Sequence, residues 1–285
     1  MTKQHQELAI VTCSYGPDAQ RCKRLCQSID RFVDEDIEHH LIVPKRDLHL
    51  FTECANARRK IHTVESVLHS RFRQVPIANK WWLYKGLLPV RGWILQQITK
   101  LAADEVTRAE NIVFADSDLQ FTQPLDASRF SREGSLRLHA IAGDMDTGRH
   151  LGWHHRAANL LGIEPRYFDN DYVGQLISWR RSTLQRLKAH LQKQSGKRWD
   201  HALATTLDFS EYILYGVFAQ HVLGTSEAGH FVTDDPMCHC FWDTNDVAKA
   251  GTKITPAAIA IHIQSNLNLS LQQEHALLLA QTASR

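Results

Sequence analysis

The segment from Val113 to Phe121, VFADSDLQF, sets two carboxylates, Asp116 and Asp118, two residues apart in an otherwise apolar, strand-like run. In an extended strand alternate side chains share a face, so the two acids point one way and Ser117 the other. Adjacent carboxylates raise each other's pKa unless water or a cation lies between them. The pair therefore asks for a cation, or else marks a solvated strand exit where Asp and Ser serve as turn formers. A three-residue pattern leaves both open. Cysteine offers a second kind of chemistry. The chain has 6 Cys, and Cys22 with Cys26, one helical turn apart, could join Cys238-His239-Cys240 around zinc. Neither pair has the usual two-residue spacer, so the alternative is reduced, partly buried thiols.

The acids need elements to hold them. Leu8 to Cys13 is an apolar, β-branched run with the pattern of a fully buried strand, and Ser14-Tyr15-Gly16-Pro17-Asp18 ends it as a loop. Leu25, Ile29, Phe32 and Val33 recur at helical spacing over 18–33, and His40 to Val43 is a second strand stopped by Pro44. Together they predict a βαβ unit and hence a parallel sheet. A helix over 92–104 precedes a buried strand, 111–115, whose carboxyl end delivers Asp116 and Asp118. In open α/β sheets ligands bind beyond that edge, and the loop from Thr12 to Tyr15 lies on it too. Later elements are predicted as a strand over 136–142, a helix over 150–162, a strand over 172–179 and a basic helix over 180–192. A helix capped by Ser210 runs to about 223, a strand spans 258–265, and a terminal helix starts near 269. These make one mixed domain over 1–285, with a nucleotide-side half at 1–124 and a second half at 125–285.

Composition excludes several function classes. With 43% hydrophobic residues in 285, the chain is an ordinary globular protein, and 33 Lys plus Arg against 31 Asp plus Glu argue against a nucleic-acid partner. The 17 His are scattered. No apolar run follows the first basic residues and none approaches the ~18 residues of a membrane span, so a cytoplasmic protein is expected.

Six stretches in order resemble a known family. They are Thr12-Cys13-Ser14-Tyr15, Gly92-Trp93 with Gln96-Gln97 and Lys100, Asp116-Ser117-Asp118, Tyr172-Val173-Gly174 with Ser178-Trp179-Arg180, Ser210-Glu211-Tyr212 with Leu214-Tyr215-Gly216, and His262-Ile263-Gln264-Ser265. The pattern is similar to GT-A type nucleotide-sugar glycosyltransferases, and more narrowly resembles the bacterial glycosyltransferase-like DUF6492 family. The resemblance implies a Rossmann-like, mainly parallel mixed sheet flanked by helices. It also implies a metal-dependent transferase moving sugar from a nucleotide-diphosphate donor, UDP-sugar favoured, to a glycan or lipid-linked acceptor in surface-polysaccharide synthesis. Asp118 would ligate Mn²⁺ or Mg²⁺, Asp116 would reach the ribose or a metal-bound water, and His262 would be the third protein ligand, against the alternative of a strand histidine bonded to a carbonyl. Thr12, Ser14, Tyr15 and Ser117 would hold the nucleotide.

Side-chain chemistry adds further candidates. Gln97 and Lys100, three apart on one helical face, could point together at ribose and phosphates. An inverting transfer needs a carboxylate base, for which Glu211 is the candidate and Asp169 and Asp171 are reserves. Glu211 could equally be N-terminal charge on its helix. Lys45-Arg46-Asp47 fits either the nucleotide edge or a turn. Trp81-Trp82-Leu83-Tyr84 could line the sugar or pack in the core. Arg180, Arg181, Arg186, Lys188 and Lys193 make the helix after Trp179 basic, either a solvated face or peripheral contact with an anionic inner membrane or acceptor. The competing functions are a nucleotidyltransferase, whose usual Gly-rich loop is missing after Cys13, a non-catalytic sugar or nucleotide module, and a zinc-binding regulator.

Overall fold

The structure, a computed structural model, describes residues 8–76, 78, 80–143, 147–248 and 257–283. Its centre is built from runs that are apolar at nearly every position, as strands covered on both faces must be. β1 (Leu8–Cys13) leads into α1 (Ala19–Phe32), which buries Cys22, Leu25, Cys26 and Ile29 along one stripe. β2 (Glu38–Val43) and β3 (Arg59–Thr63) follow, each parallel to its predecessor. After the short α2 (Val64–Val67) come three strands that pair antiparallel, β4 (Phe72–Gln74), β5 (Trp81–Tyr84) and β6 (Leu88–Arg91).

α3 (Gly92–Lys100) feeds β7 (Asn111–Phe114), which lies parallel to β1. β8 (Leu119–Phe121), β9 (Ser131–Arg132), β10 (Ser135–His139) and β11 (Ile141–Ala142) cross to the second half. α4 (Gly148–Leu161) then returns the chain to β12 (Asn170–Asp171), the partner of β11. β13 (Ile177–Arg180) runs antiparallel on β7 and completes a five-stranded sheet of order β13-β7-β1-β2-β3. α5 (Arg181–Ser195), α6 (Trp199–Ala204) and α7 (Glu211–Val217) cover it, and β14 (His230–Thr233) pairs with β10. β15 (Cys238–Phe241), α8 (Thr244–Ala248), β16 (Ala260–Ile263) and α9 (Leu271–Ala283) end the fold, with β16 between β15 and β8.

The mixed, mainly parallel α/β sheet is thus the one expected. Its core centres on Trp179, which stacks on Tyr215 at 4.6 Å and meets the edge of Phe114 at 4.5 Å. Each such ring buried contributes roughly 1.5–3 kcal/mol.

Four expectations change. β7 ends at Phe114, and the Leu119 amide bonds the Asp116 carbonyl at 3.1 Å, so the two acids lie on a turn and not on an extended strand. The strand expected over 172–179 begins only at Ile177, because Leu176 takes φ 53° and Gly174 packs against the His139 ring. The layer β4 to β6 was not foreseen. Within it the aromatic cluster alternates, Trp82 and Tyr84 buried and Trp81 39% exposed. The strand over 136–142 breaks into β10 and β11.

Candidate functional site

Ser117 pins the acidic turn to the first strand, its hydroxyl donating to Ser14 Oγ at 2.8 Å. On either side of it the two acids find different partners. Asp116 Oδ1 lies 3.0 Å from Lys100 Nζ, and its Oδ2 accepts from Gln175 Nε2 at 3.1 Å. Asp118 Oδ1 lies 3.2 Å from His262 Nε2, and its Oδ2 accepts the Ser265 amide at 2.9 Å. Antiparallel pairing of β8 with β16 puts His262 opposite Leu119, which brings the late histidine to the acid.

Lys100 is the hub of the first group. Its Nζ is 2.7 Å from Tyr212 OH and 3.1 Å from Glu211 Oε1, and it sits 4.4 Å from the Tyr212 ring centroid. Burial alone would lower the lysine pKa, but Asp116, Tyr212 and Glu211 outweigh it and hold Lys100 well above its ordinary value. Burial raises the Glu211 carboxyl, and Lys100 opposes that rise. Gln97, one turn before Lys100, accepts the Glu211 amide at 3.2 Å. Gln97 and Lys100 do share a face, as their spacing predicts, but that face meets Glu211 and Tyr212. Glu211 is only 2% exposed, so it is not presented on an open acceptor face. Ser210 caps its helix, accepting the Ile213 amide at 3.4 Å.

In the second group burial would raise the Asp118 carboxyl, yet His262 and the Ser265 amide keep it below the usual range. Burial likewise disfavours a charged His262, but Asp118 and the Cys240 thiol push it up to about 10. The other ring nitrogen, Nδ1, is buried without a hydrogen bond. Burial and then the Asp118 charge raise Asp18 to about 6, so a further acid feels the same field.

Beyond β1 and β2 the surface opens into a cavity of about 580 Å³. Ser14 and Tyr15 line it, with Trp81, Trp82 and Trp93 as aromatic walls and Arg46, Lys80 and Arg91 as cations. Thr12, expected there, is fully buried; its hydroxyl donates to the Ala115 carbonyl at 2.8 Å and meets His39 Nε2 at 3.0 Å. Its hydrogen-bonding capacity is used within the core, so it does not face the cavity. Asp47 accepts the Gly16 amide at 2.8 Å and ties the two cavity loops together.

Other candidates fall elsewhere. Asp169 is exposed at φ 62° and its charge is felt by His221 and Tyr172. Asp171 lies 3.3 Å from His150. Cys22, Cys26 and Cys54 pack under β2, whereas Cys238 and Cys240 belong to another cluster. Among the described residues no three His, Cys, Asp or Glu side chains are spaced to hold a metal ion, so the zinc site is not formed and Asp116 does not join Asp118 and His262. Three cations of the basic stretch turn to the protein: Arg180 to Glu110 at 3.0 Å, Lys188 to Asp104 at 2.5 Å, and Arg186 to Glu227. None of the described helices is long and apolar enough to cross a membrane.

Sequence reasoning gave Tyr212 no role of its own and missed Gln175 and Trp242, the last 43% exposed with its ring 4.7 Å from that of His262. An aromatic two residues beyond Cys240 was the only local signal for it. Asp118 and Nε2 of His262, 3.2 Å apart, are two donors of the kinds a divalent cation takes, provided the cation displaces the proton that Asp118 holds on the ring. Mg²⁺ in particular is often held by one or two protein groups while phosphate oxygens and water supply the rest.

This sheet, with its acidic turn at the carboxyl edge, is a GT-A fold. The galactosyltransferase LgtC, in complex with donor and acceptor sugar analogues, matches at TM-score 0.51 and 9% identity over 97% of this chain and 95% of its own. An active-site mutant of LgtC matches at TM-score 0.51 and 10% identity over 95% of each chain. Such identity carries the fold alone. The chain belongs to the family described as "Family of unknown function (DUF6492)", whose profile matches residues 8–280. No curated protein matches it by sequence.

Proposed function

We propose that this protein is a metal-dependent glycosyltransferase that binds a nucleotide-sugar donor, UDP-sugar in the first instance, at the carboxyl edge of the sheet. The observation that carries the proposal is the Asp116–Asp118 turn: one acid is neutralised by a buried lysine, the other is paired with a buried histidine, and the loop pinned to it lines the 580 Å³ cavity. The likeness to LgtC, solved with donor and acceptor sugar analogues, supports the same reading.

Ser14 and Tyr15 are proposed to hold the base and ribose in the cavity. Asp118 and His262 would hold Mn²⁺ or Mg²⁺, and the bound cation would stabilise charge on the departing diphosphate. Lys100 fixes Asp116 for the ribose or a metal-bound water, and Glu211 with Tyr212 fixes Lys100. A surface glycan or lipid-linked glycan is the proposed acceptor class.

Calorimetric titration with UDP, GDP and CMP, each with Mn²⁺ and again with EDTA, tests this. One nucleotide should bind with metal, and binding should be lost in EDTA and in Asp118→Asn. Equal affinity in EDTA would remove the metal from the proposal, and silence with all three nucleotides would remove the donor.

A further inference from the structure

The reaction just proposed lacks a group to take the acceptor's proton, since Glu211 is buried and bonded to Lys100. From the geometry we infer that His150, held by Asp171, is that group, an inference that rests on the glycosyltransferase reading.

His150 lies in the first turn of α4 and Asp171 on β12. Nδ1 of His150 is 3.3 Å from Asp171 Oδ1 and is buried without a hydrogen bond of its own. Bonds between catalytic groups are often long until substrate arrives. Asp171 is fixed in turn, since the same Oδ1 accepts the Val173 amide at 3.1 Å. Among the described residues the other nitrogen, Nε2, has no protein partner. The side chain of His150 is 26% exposed against 3% for Glu211, so it meets a solvent-borne acceptor where Glu211 does not. His154, one turn on, is fully buried and held to a pKa of about 4 by burial, which disqualifies it.

Two connections link this pair to the donor site. Asp171 and Gln175 are four residues apart, at most about 14 Å of chain, and Gln175 bonds Asp116. The His150 ring lies 4.8 Å from that of Trp153, which stacks on Trp93 at 5.9 Å, and Trp93 lines the cavity. Trp153 is anchored by its Nε1 donating to Asp208 at 2.8 Å. Asp171 is thus four residues from a partner of Asp116, and His150 is two ring contacts from the cavity wall at Trp93.

The step is a single displacement. The acceptor hydroxyl oxygen forms a bond to the anomeric carbon, and its proton passes to His150 Nε2. The bond from that carbon to the diphosphate oxygen breaks, with its electron pair leaving on the diphosphate. The imidazolium then returns the proton to water. His150 is the catalytic residue and Asp171 a positioning residue that orients the ring and supports its charge, as a third group does in hydrolase triads.

The test compares wild type, His150→Gln, His150→Asn and Asp171→Asn with UDP-glucose, UDP-galactose and UDP-N-acetylglucosamine in Mn²⁺. UDP release is followed with water as acceptor and again with sodium azide. Azide attacks as an anion and needs no base. Both His150 variants should lose about 100-fold or more with water, and Asp171→Asn about tenfold. All should keep wild-type UDP affinity by calorimetry, and azide should restore the His150 variants to within a few-fold of wild type. A His150 variant that releases UDP to water at the wild-type rate overturns the assignment. So does a loss that azide does not restore while UDP still binds. A wild type that neither binds UDP nor cleaves any donor fails differently, and takes the glycosyltransferase reading down with it.

Discussion

Arg59 and Lys100 are both buried cations, 2% and 4% exposed, yet they live in opposite kinds of network. Arg59 donates to Asp30 through two nitrogens, at 2.6 and 3.2 Å, to the carbonyls of Cys26 and Cys54 at 2.9 Å, and to His39 Nδ1 at 2.7 Å. The chain of bonds runs on from His39 through the Thr12 hydroxyl to the Ala115 carbonyl, where it ends with every donor used. Around Lys100 one ammonium is shared by two carboxylates and a phenol, and the next acid along the turn faces a histidine with an orphan nitrogen. A closed network rigidifies a fold, whereas one that leaves charge and bonding capacity over is prepared for something not yet present.

Breaking each network should therefore cost different things. Lys100→Met removes the one cation that Asp116 and Glu211 both contact. Donor turnover should fall by about 10²-fold, the scale of misplacing a group that positions the reactants, with metal and nucleotide both saturating. Arg59→Met strands His39 and two carbonyls. It should lower unfolding free energy by about 3 kcal/mol in urea titrations and leave UDP affinity of the folded protein unchanged. If Arg59→Met abolished nucleotide binding, or Lys100→Met only softened the fold, the division between the two networks would be wrong.

The two networks also differ in how well sequence discloses them. β1, α1, β2 and β7 are legible because a fully apolar run or a clean helical stripe has few other uses, and their order fixes which edge is open. The layer β4 to β6 is not legible, since its strands are three or four residues long and carry Arg73 and Arg91 in the pattern. At the site, residue type and spacing single out Asp116, Asp118, Gln97, Lys100 and Glu211, and family resemblance adds His262. What spacing cannot disclose is which side chain spends its bonds on which. Thr12, beside the cavity in sequence, faces inward to His39. Glu211 and Lys100, far apart in sequence, form one ion pair. Such pairings depend on the handful of ångströms that the crossing of α3 and α7 decides, and no periodicity encodes them.

A buried neutral histidine with both ring nitrogens bonded makes stability depend on pH in a calculable way, and His230 is such a group. Its Nδ1–H donates to the Leu136 carbonyl at 3.0 Å and its Nε2 accepts the Tyr215 hydroxyl at 2.7 Å, so the neutral ring is satisfied at both nitrogens. Burial pushes its pKa down to about 4, despite the Leu136 carbonyl favouring the charged form. The unfolded chain takes up that proton near its ordinary 6.5, so between about 6.5 and 4 the unfolded state binds more protons. Stability is then lost as pH falls, by about 2 kcal/mol at pH 5 for one such group. His139 and His154 are also held to about 4, chiefly by burial, and act in the same direction. His230→Gln keeps one donor and one acceptor at the site but cannot titrate. Unfolding followed from pH 7 to pH 5 should show the variant losing about 2 kcal/mol less stability than wild type, the share of this one group. An unchanged slope would mean that His230 is already opened to water in the native protein, and that the Tyr215 contact does not keep its ring neutral.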